Sequence, residues 1–281
     1  MTVARLGSFS AAAVELRYTQ AAVSQQIAAL ENDLKVPLLH RRPVAPTEAG
    51  ARLLEHAEPI LLRLDAARAD VTRLTLAPPA TLIVGITPLA GGTPTLATAL
   101  AELRQRMPRL DTTVRVTAGP DVATGVARGE LDAGLIDGLA APGDSLPLLA
   151  PLSGVGVAES EVVLVLPPNH PLARRAAVRL ADLVDARWID APEVTPPLSD
   201  IRRVARIDGF RPALSYEGTD TLSLIRLAAA GHGLTLLPAQ AAAAGGSLAV
   251  RITDPRIVHR VELVHGTLRE ASPAAVLASL L

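Results

Sequence analysis

Residues 18–34 read YTQAAVSQQIAALENDL, and this stretch decides how the first part of the chain folds. Wound as a helix, it places Val23, Ile27, Leu30 and Leu34 on one stripe, at steps of four, three and four. That stripe is the expected core. The opposite stripe holds Ala21, Gln25, Ala28 and Asn32, flanked by Gln20 and Ser24, with no charge before Glu31 and little bulk. A face that is only solvated usually carries Lys and Glu. This one is shaped for close approach to something polar.

Upstream and downstream, residues 8–35 read as helix, tight turn, helix. Ser8 or Ser10 caps the first helix, whose Ala13 and Leu16 face inward with Phe9, and Thr19 caps the second. Only Arg17 and Tyr18 separate them, the spacing of a helix-turn-helix. Pro37, Pro43 and Pro46 then forbid a continuous helix. Leu38, Leu39 and Val44 suit a small hairpin with Arg41, Arg42 and Pro43 near its tip, a wing. From Thr47 onward Leu53, Ala57, Ile60, Leu64, Ala67, Val71 and Leu74 recur at steps of four and three, a heptad seam. At about 1.5 Å per residue it is roughly 40 Å long. Pro59 is expected to kink or shift it. With APPA (77–80) following, the expected partner of this seam is a second copy of the chain, with packing on its own domain the alternative.

After Pro78 and Pro79 the pattern becomes alternating strands and helices, which implies an α/β domain. TLIVGI (81–86) is a buried strand. Thr93–Pro94 starts a helix that buries Leu96, Leu100, Leu103 and Met107. TTVRV, AGLID, EVVLVL, ARWI, ALSYE, LTLLP, LAVRI and RVELV are further strands, and Gly231 stops the helix in DTLSLIRLAAAGHG.

The bulk numbers agree with this division. The 281 residues suffice for about two domains, each with its own core. Apolar residues are 49% and aromatics 2%, so the cores are aliphatic. There is no cysteine, which removes disulfide and thiol chemistry. No signal peptide and no membrane span is visible, which points to a soluble cytoplasmic protein. The net charge of −1 favours no partner class, although residues 1–52 hold six basic residues against four acidic ones and place His40, Arg41 and Arg42 together.

GSFSAAAVELRYTQAAVSQQIAALENDLKVPLLHRR followed by PTEAG resembles the amino-terminal signature of LysR-type transcriptional regulators. TLIVGI, ARGELDAGLID, LPPNHPLA and AAAGHGLTLLP resemble landmarks of that family's effector-binding domain, in the same order. The resemblance implies an all-α winged helix-turn-helix over 1–52 and a dimerising linker helix over 53–77. It further implies a two-subdomain α/β fold like that of periplasmic solute-binding proteins over 80–281. Subdomain I is expected at about 80–152 and 254–281, and subdomain II at about 153–253. The implied partners are double-stranded promoter DNA, a small-molecule effector held between the subdomains, a homodimer or homotetramer, and RNA polymerase. No cofactor or metal is expected. Two departures stand out: the wing is shorter than the usual pattern, and the chain begins inside what should be the first helix, so the start is expected to be too late.

A recognition helix enters the major groove only where backbone and bases come close. Ala21 and Ala28 permit that approach, and Gln20 and Gln25 both donate and accept at base edges. Ser24 and Thr19 reach phosphate or base. Arg41, Arg42 and Arg52 neutralise phosphates. In the second domain GITPLAGGTPT places Thr87 at a strand end and Gly91, Gly92 and Thr93 at a helix start, where free N–H groups suit an anion. By resemblance Thr87, Pro88, Thr93, Ile189, Thr219 and Asp220 are effector contacts, with helix capping the alternative for Thr93, Thr219 and Asp220. Asp190 and Asp220 equally suit a polar or cationic ligand.

An enzyme needs a site, and none is written here. The six histidines show no metal-ligand spacing, and neither a G-x-S-x-G nor a Walker motif is present. His170 lies in the turn PPNHPLA. A solute-binding module for a small metabolite is the alternative reading of residues 80–281, against which residues 8–52 count.

Overall fold

The computed structural model describes residues 1–75, 81–148 and 151–281; the side chains of 69, 70 and 72–75 are outside that description. APPA and the side chain of Leu74 therefore lie outside the described residues. The chain divides into two compact units, Met1–Leu64 and Asp65–Leu281.

The first unit opens with α1 (Thr2–Leu6), α2 (Phe9–Leu16) and α3 (Gln20–Leu34). Ser8 caps α2, its hydroxyl accepting from the Ala11 N–H at 3.2 Å, and Thr19 caps α3 by accepting from Ala22 at 3.1 Å. Arg17 turns the chain in the left-handed region, φ 58°, and Tyr18 N–H donates back to Ala13 at 2.9 Å. Strands β1 (Leu39–Arg41) and β2 (Val44–Pro46) pair antiparallel and leave Arg42 and Pro43 as the tip, the expected wing. Val3, Ala12, Ala13, Val23 and Leu39 form the core, with Phe9, Ile27 and Val44 packed on it. The expected stripe is only half core. Leu30 and Leu34 stay 40% and 44% exposed, and Leu16 44%. The small core reaches no farther along α3 than Ile27, and the wing docks on Glu31 instead of on Leu30.

Helix α4 runs Glu48–Thr75, with Pro59 inside it, so the expected domain boundary at 52/53 falls within one continuous helix. Thr47 starts it. Its hydroxyl accepts from the Gly50 N–H at 3.0 Å and donates to Pro37 O at 2.8 Å. Gly50 is required because a Cβ there would lie 2.0 Å from the Leu38 carbonyl oxygen. On the predicted seam Ile60 and Leu64 are 64% and 46% exposed.

The second unit continues with β3 (Thr81–Ile86), α5 (Pro88–Gly91), α6 (Pro94–Arg106), β4 (Asp111–Val116), α7 (Gly119–Arg128), β5 (Ala133–Ala140) and β6 (Ser153–Val165). Then come β7 (Ala177–Arg179), β8 (Trp188–Asp190), α8 (Leu198–Ala205), β9 (Pro212–Ser215), α9 (Thr221–Ala229), β10 (Thr235–Pro238) and α10 (Ala239–Ala244). Strands β11 (Ala249–Asp254) and β12 (Val258–His265) and helix α11 (Pro273–Leu280) complete it. The order β4-β3-β5-β12-β6-β11-β7 makes one sheet path, with β10 also on β6 and a separate parallel pair β8-β9.

Strand β6 belongs to both subdomains. Ser153–Glu161 pairs with β12, while Val162–Val165 pairs with β10 and Val163–Val165 also with β11. The crossing therefore lies between Glu161 and Val162, not at residue 153 as the sequence suggested. The reason is visible in SGVGVAESE: exposed and half-buried positions with two glycines lack the apolar run that marks EVVLV. Strand β7, three residues long, leaves no strand pattern in the sequence. Subdomain I buries Leu96, Ala99, Leu103 and Leu277 on one face of its sheet and Val122 and Val126 on the other. Subdomain II centres on Trp188, whose ring meets Phe210 edge-on at 5.4 Å and whose Nε1 donates to Leu183 O at 3.1 Å.

Candidate nucleic-acid interface and ligand cavity

On α3, Gln20, Ala21 and Gln25 are exposed and Ser24 is half-buried. Gln20 is steadied by Ser10, whose hydroxyl donates to its Oε1 at 3.1 Å. The Gln25 side chain has no hydrogen-bond partner among the described residues, so its amide is available to another molecule. Thr19 spends its hydroxyl acceptor on the cap but remains exposed.

The arginines separate. Arg41 is engaged internally: its Nη2 donates to Glu31 Oε2 at 2.7 Å and its Cζ lies 5.1 Å from the Phe9 ring centroid, a cation–π distance. Arg52 pairs with Glu55 at 3.1 Å. Arg42, at the wing tip, has no acidic partner among the described residues. Glu31 is the clamp between helix and wing. Its Oε1 accepts from the Leu38 and Leu39 N–H groups at 2.9 and 3.2 Å. Burial opposes ionisation of this carboxyl, but those two N–H groups and Arg41 outweigh it and hold it below the usual carboxylate range. Sequence reasoning missed Glu31 as the wing's anchor.

In the second unit, α5, the start of α6, α9 and α10 surround a cavity of about 300 Å³. Pro88, Leu89, Leu222 and Ile225 give it apolar walls, and Ser160 and His259 line it where β6 and β12 lie side by side at the subdomain crossing. Behind them runs a buried chain of hydrogen bonds. His259 Nε2 lies 2.8 Å from Asp137 Oδ2, with the two side chains 3% and 4% exposed. Thr87 Oγ1 donates to the other oxygen of Asp137, and Ser160 Oγ lies 3.4 Å from His259 Nδ1.

The expected contacts distribute unevenly around this cavity. Pro88 and Thr93 line it. Thr87 is buried and reaches it only through Asp137 and His259. Ile189 does not line this cavity: it is buried beside Leu224, Ile225 and Leu237 and borders a much smaller pocket with Leu139 and Thr195. Asp190 accepts from the Leu198 N–H at 3.3 Å. Thr219 is exposed, outside the cavity lining. Asp220 is the cap of α9, its two oxygens accepting from the Leu222 and Ser223 N–H groups at 3.2 and 3.0 Å. The Ser223 hydroxyl first, then the backbone donors, hold that carboxyl below its usual range. The free N–H groups expected at Gly91, Gly92 and Thr93 are absent, because α5 intervenes. They donate to Thr87, Leu89 and Ala90 carbonyls at 3.0, 3.2 and 3.2 Å. Thr93 Oγ1 itself donates to Ala90 O at 2.8 Å instead of capping α6.

One sequence signal did point to the buried chain. An aspartate inside the otherwise apolar strand AGLIDGLA needs a partner in the core. The partner, 122 positions away, could not be named without the sheet order.

A winged helix-turn-helix followed by a two-subdomain α/β unit defines the class, and the comparisons give the family. Residues 1–51 match the bacterial regulatory helix-turn-helix proteins of the lysR family, and residues 77–277 the LysR substrate binding domain. The chain belongs to the LysR family. It is 30% identical over 190 residues to a probable RuBisCO transcriptional regulator of Emiliania huxleyi, covering 67% of this chain and 59% of that protein. It thus spans less than two thirds of that relative's length. It is 29% identical over 273 residues to the uncharacterized HTH-type transcriptional regulator YnfL of Escherichia coli K12, covering 95% and 90%. Full-length BenM shares the fold with a TM-score of 0.57 at 23% identity, covering 99% of this chain and 92% of BenM. The effector binding domain of BenM with its effector benzoate matches at TM-score 0.56 and 20% identity, covering 71% and 89%. Among the described residues no helix is long and apolar enough to cross a membrane.

Proposed function

We propose that this protein is a sequence-specific, DNA-binding transcriptional regulator that responds to a small molecule held in its C-terminal α/β unit. The observation that carries the reading is the exposed face of α3, where Gln25 has no internal partner and Ala21 leaves room for a base edge, beside a wing tipped by Arg42. In the major groove Gln25 reads bases, while Arg42 and the exposed Thr19 hydroxyl meet phosphates. Arg41 and Arg52 are held by Glu31 and Glu55 and contribute less than their charge suggests. The division of labour follows the chain: residues 1–52 read DNA, 53–77 join copies into a homodimer or homotetramer, and 80–281 bind the effector. RNA polymerase is the downstream partner and the cytoplasm the place of action. The cavity at Pro88, Thr93, Ser160 and His259 is the effector site.

Selection of duplexes from a random-sequence library by the full chain tests this reading. Enrichment of one motif with two related half-sites is expected, since a two-fold dimer sets two recognition helices about one helical turn apart. Recovery of unselected sequence would remove the regulator reading.

A further inference from the structure

The cavity at the subdomain crossing carries more information than its location. It is at the lower end of the ~300–1,000 Å³ typical of small-molecule sites. Its polar side chains are Thr93, Ser160, Thr221, Gln240 and His259, and no Lys or Arg is among its lining residues. We infer that it takes an uncharged, largely apolar molecule of about one ring, whose hydroxyl or amide group meets Ser160 and His259. The inference rests on reading this cavity as the effector site.

Three observations weigh against a carboxylate. The N–H groups of Gly91, Gly92 and Thr93 already donate to carbonyls one turn back, and Pro94 at the start of α6 has no N–H to offer. The start of α9 is filled by Asp220, whose own carboxylate takes the Leu222 and Ser223 N–H groups. The starts of α6 and α9 are therefore closed, and one of them presents a negative charge. The third observation is at the floor. With His259 Nε2 donating to Asp137, the other ring nitrogen, Nδ1, faces Ser160 and the cavity. The Ser160 hydroxyl, loosely held at 3.4 Å from it, can turn to donate or accept. An alcohol or a primary amide matches both; a carboxylate has no hydrogen to give.

A cation fits no better. Both oxygens of Asp137 are taken by Thr87 and His259 behind the lining, and both of Asp220 by its cap. No carboxylate faces the cavity among its lining residues. What remains is apolar wall and a polar floor with no Lys, Arg or carboxylate in the lining, the pattern of a site that rejects charge by leaving it unsolvated.

The test uses the full chain and four probes of matched size: benzamide, benzyl alcohol, benzoate and benzylamine. Binding is read by saturation-transfer NMR and by thermal shift, at one ionic strength and neutral pH. Benzamide and benzyl alcohol are expected to bind at least tenfold more tightly than the two charged probes. Ala241→Phe, which fills the cavity, should abolish that binding. Ser160→Ala, which keeps the volume, should weaken it several-fold and leave the fold intact. Benzoate binding more tightly than benzamide, and lost in Ala241→Phe, would keep the cavity as the effector site and overturn its neutral character. Binding of the neutral probes that survives both substitutions would overturn the site and the inference together. Binding of none of the four at millimolar concentration also overturns the inference.

Discussion

The outer face of α3 and the floor of the cavity are both polar, yet they are built in opposite ways. On α3 the amide of Gln25 has no partner within the described residues, and its small neighbour Ala21 leaves space around it. In the cavity floor Thr87, Asp137 and His259 bond to one another, and the Ser160 hydroxyl completes the chain only loosely. The first surface is unfinished without another molecule. The second is finished except at one end. Residue type alone does not distinguish them, because threonine and serine occur in both. What distinguishes them is whether the fold has already used the group.

The largest break in that contrast comes from exposure that is apolar. Ile60 and Leu64 lie on the seam of α4 and remain exposed, a pattern that a second copy would cover. Replacing both with Glu would bury charges in such an interface at several kcal/mol per ion. Sedimentation should then show smaller species than wild type. An unchanged distribution would place the contact between copies elsewhere.

The next effect is internal. Asp137→Ala leaves the Thr87 hydroxyl and the His259 ring N–H buried without their acceptor, at about 1–3 kcal/mol for each group. Chemical unfolding of the second unit should move to clearly lower denaturant, while Gln25→Ala leaves it in place. If the two substitutions shift unfolding equally, the contrast between used and unused polar groups fails.

Gln25→Ala acts on the other surface. A lost bidentate base contact costs about 1–3 kcal/mol of discrimination. Binding to a selected duplex should weaken accordingly, with binding to scrambled duplex at the same salt nearly unchanged. Equal losses on both would show that Gln25 does not read bases.

The features legible in the sequence are those set by neighbours in the chain. Thr19 and Ser8 announce their caps, the prolines confine the wing to Leu39–Pro46, and the Thr-x-Ala-Gly after it is explained by the Thr47 cap and the approach of Gly50 to Leu38. Failures lie where distant segments decide. Glycines 91 and 92 looked like an anion hole because α5, a four-residue helix, leaves little pattern. Ile189 is expected at the effector cavity but lies in the core beside it, because a strand end and a core position share the same apolar signature. The link from Asp137 to His259 depends on β12 lying beside β5, which no local spacing encodes.

Glu31 tests the contrast where its two sides meet, because it sits on α3 yet is fully engaged. Its carboxylate holds the Leu38 and Leu39 N–H groups and Arg41, with the side chain 14% exposed. Its pKa is lowered in the folded protein, so its contribution is present above the ordinary glutamate value. That contribution fades as pH falls from there through the lower folded value. Hydrogen exchange at Leu38 and Leu39 should accordingly quicken across that acid window. Glu31→Gln keeps the shape and one acceptor oxygen but removes the charge, a change of about 1 kcal/mol or less at neutral pH, since hydrogen bonds to charged groups exceed neutral ones by about that much. The variant should exchange slightly faster at neutral pH and lose this part of the pH dependence. A wild-type wing whose protection stays flat through the window would mean that Arg41 and the backbone donors do not need the charge, and that Glu31 is a spacer instead of a clamp.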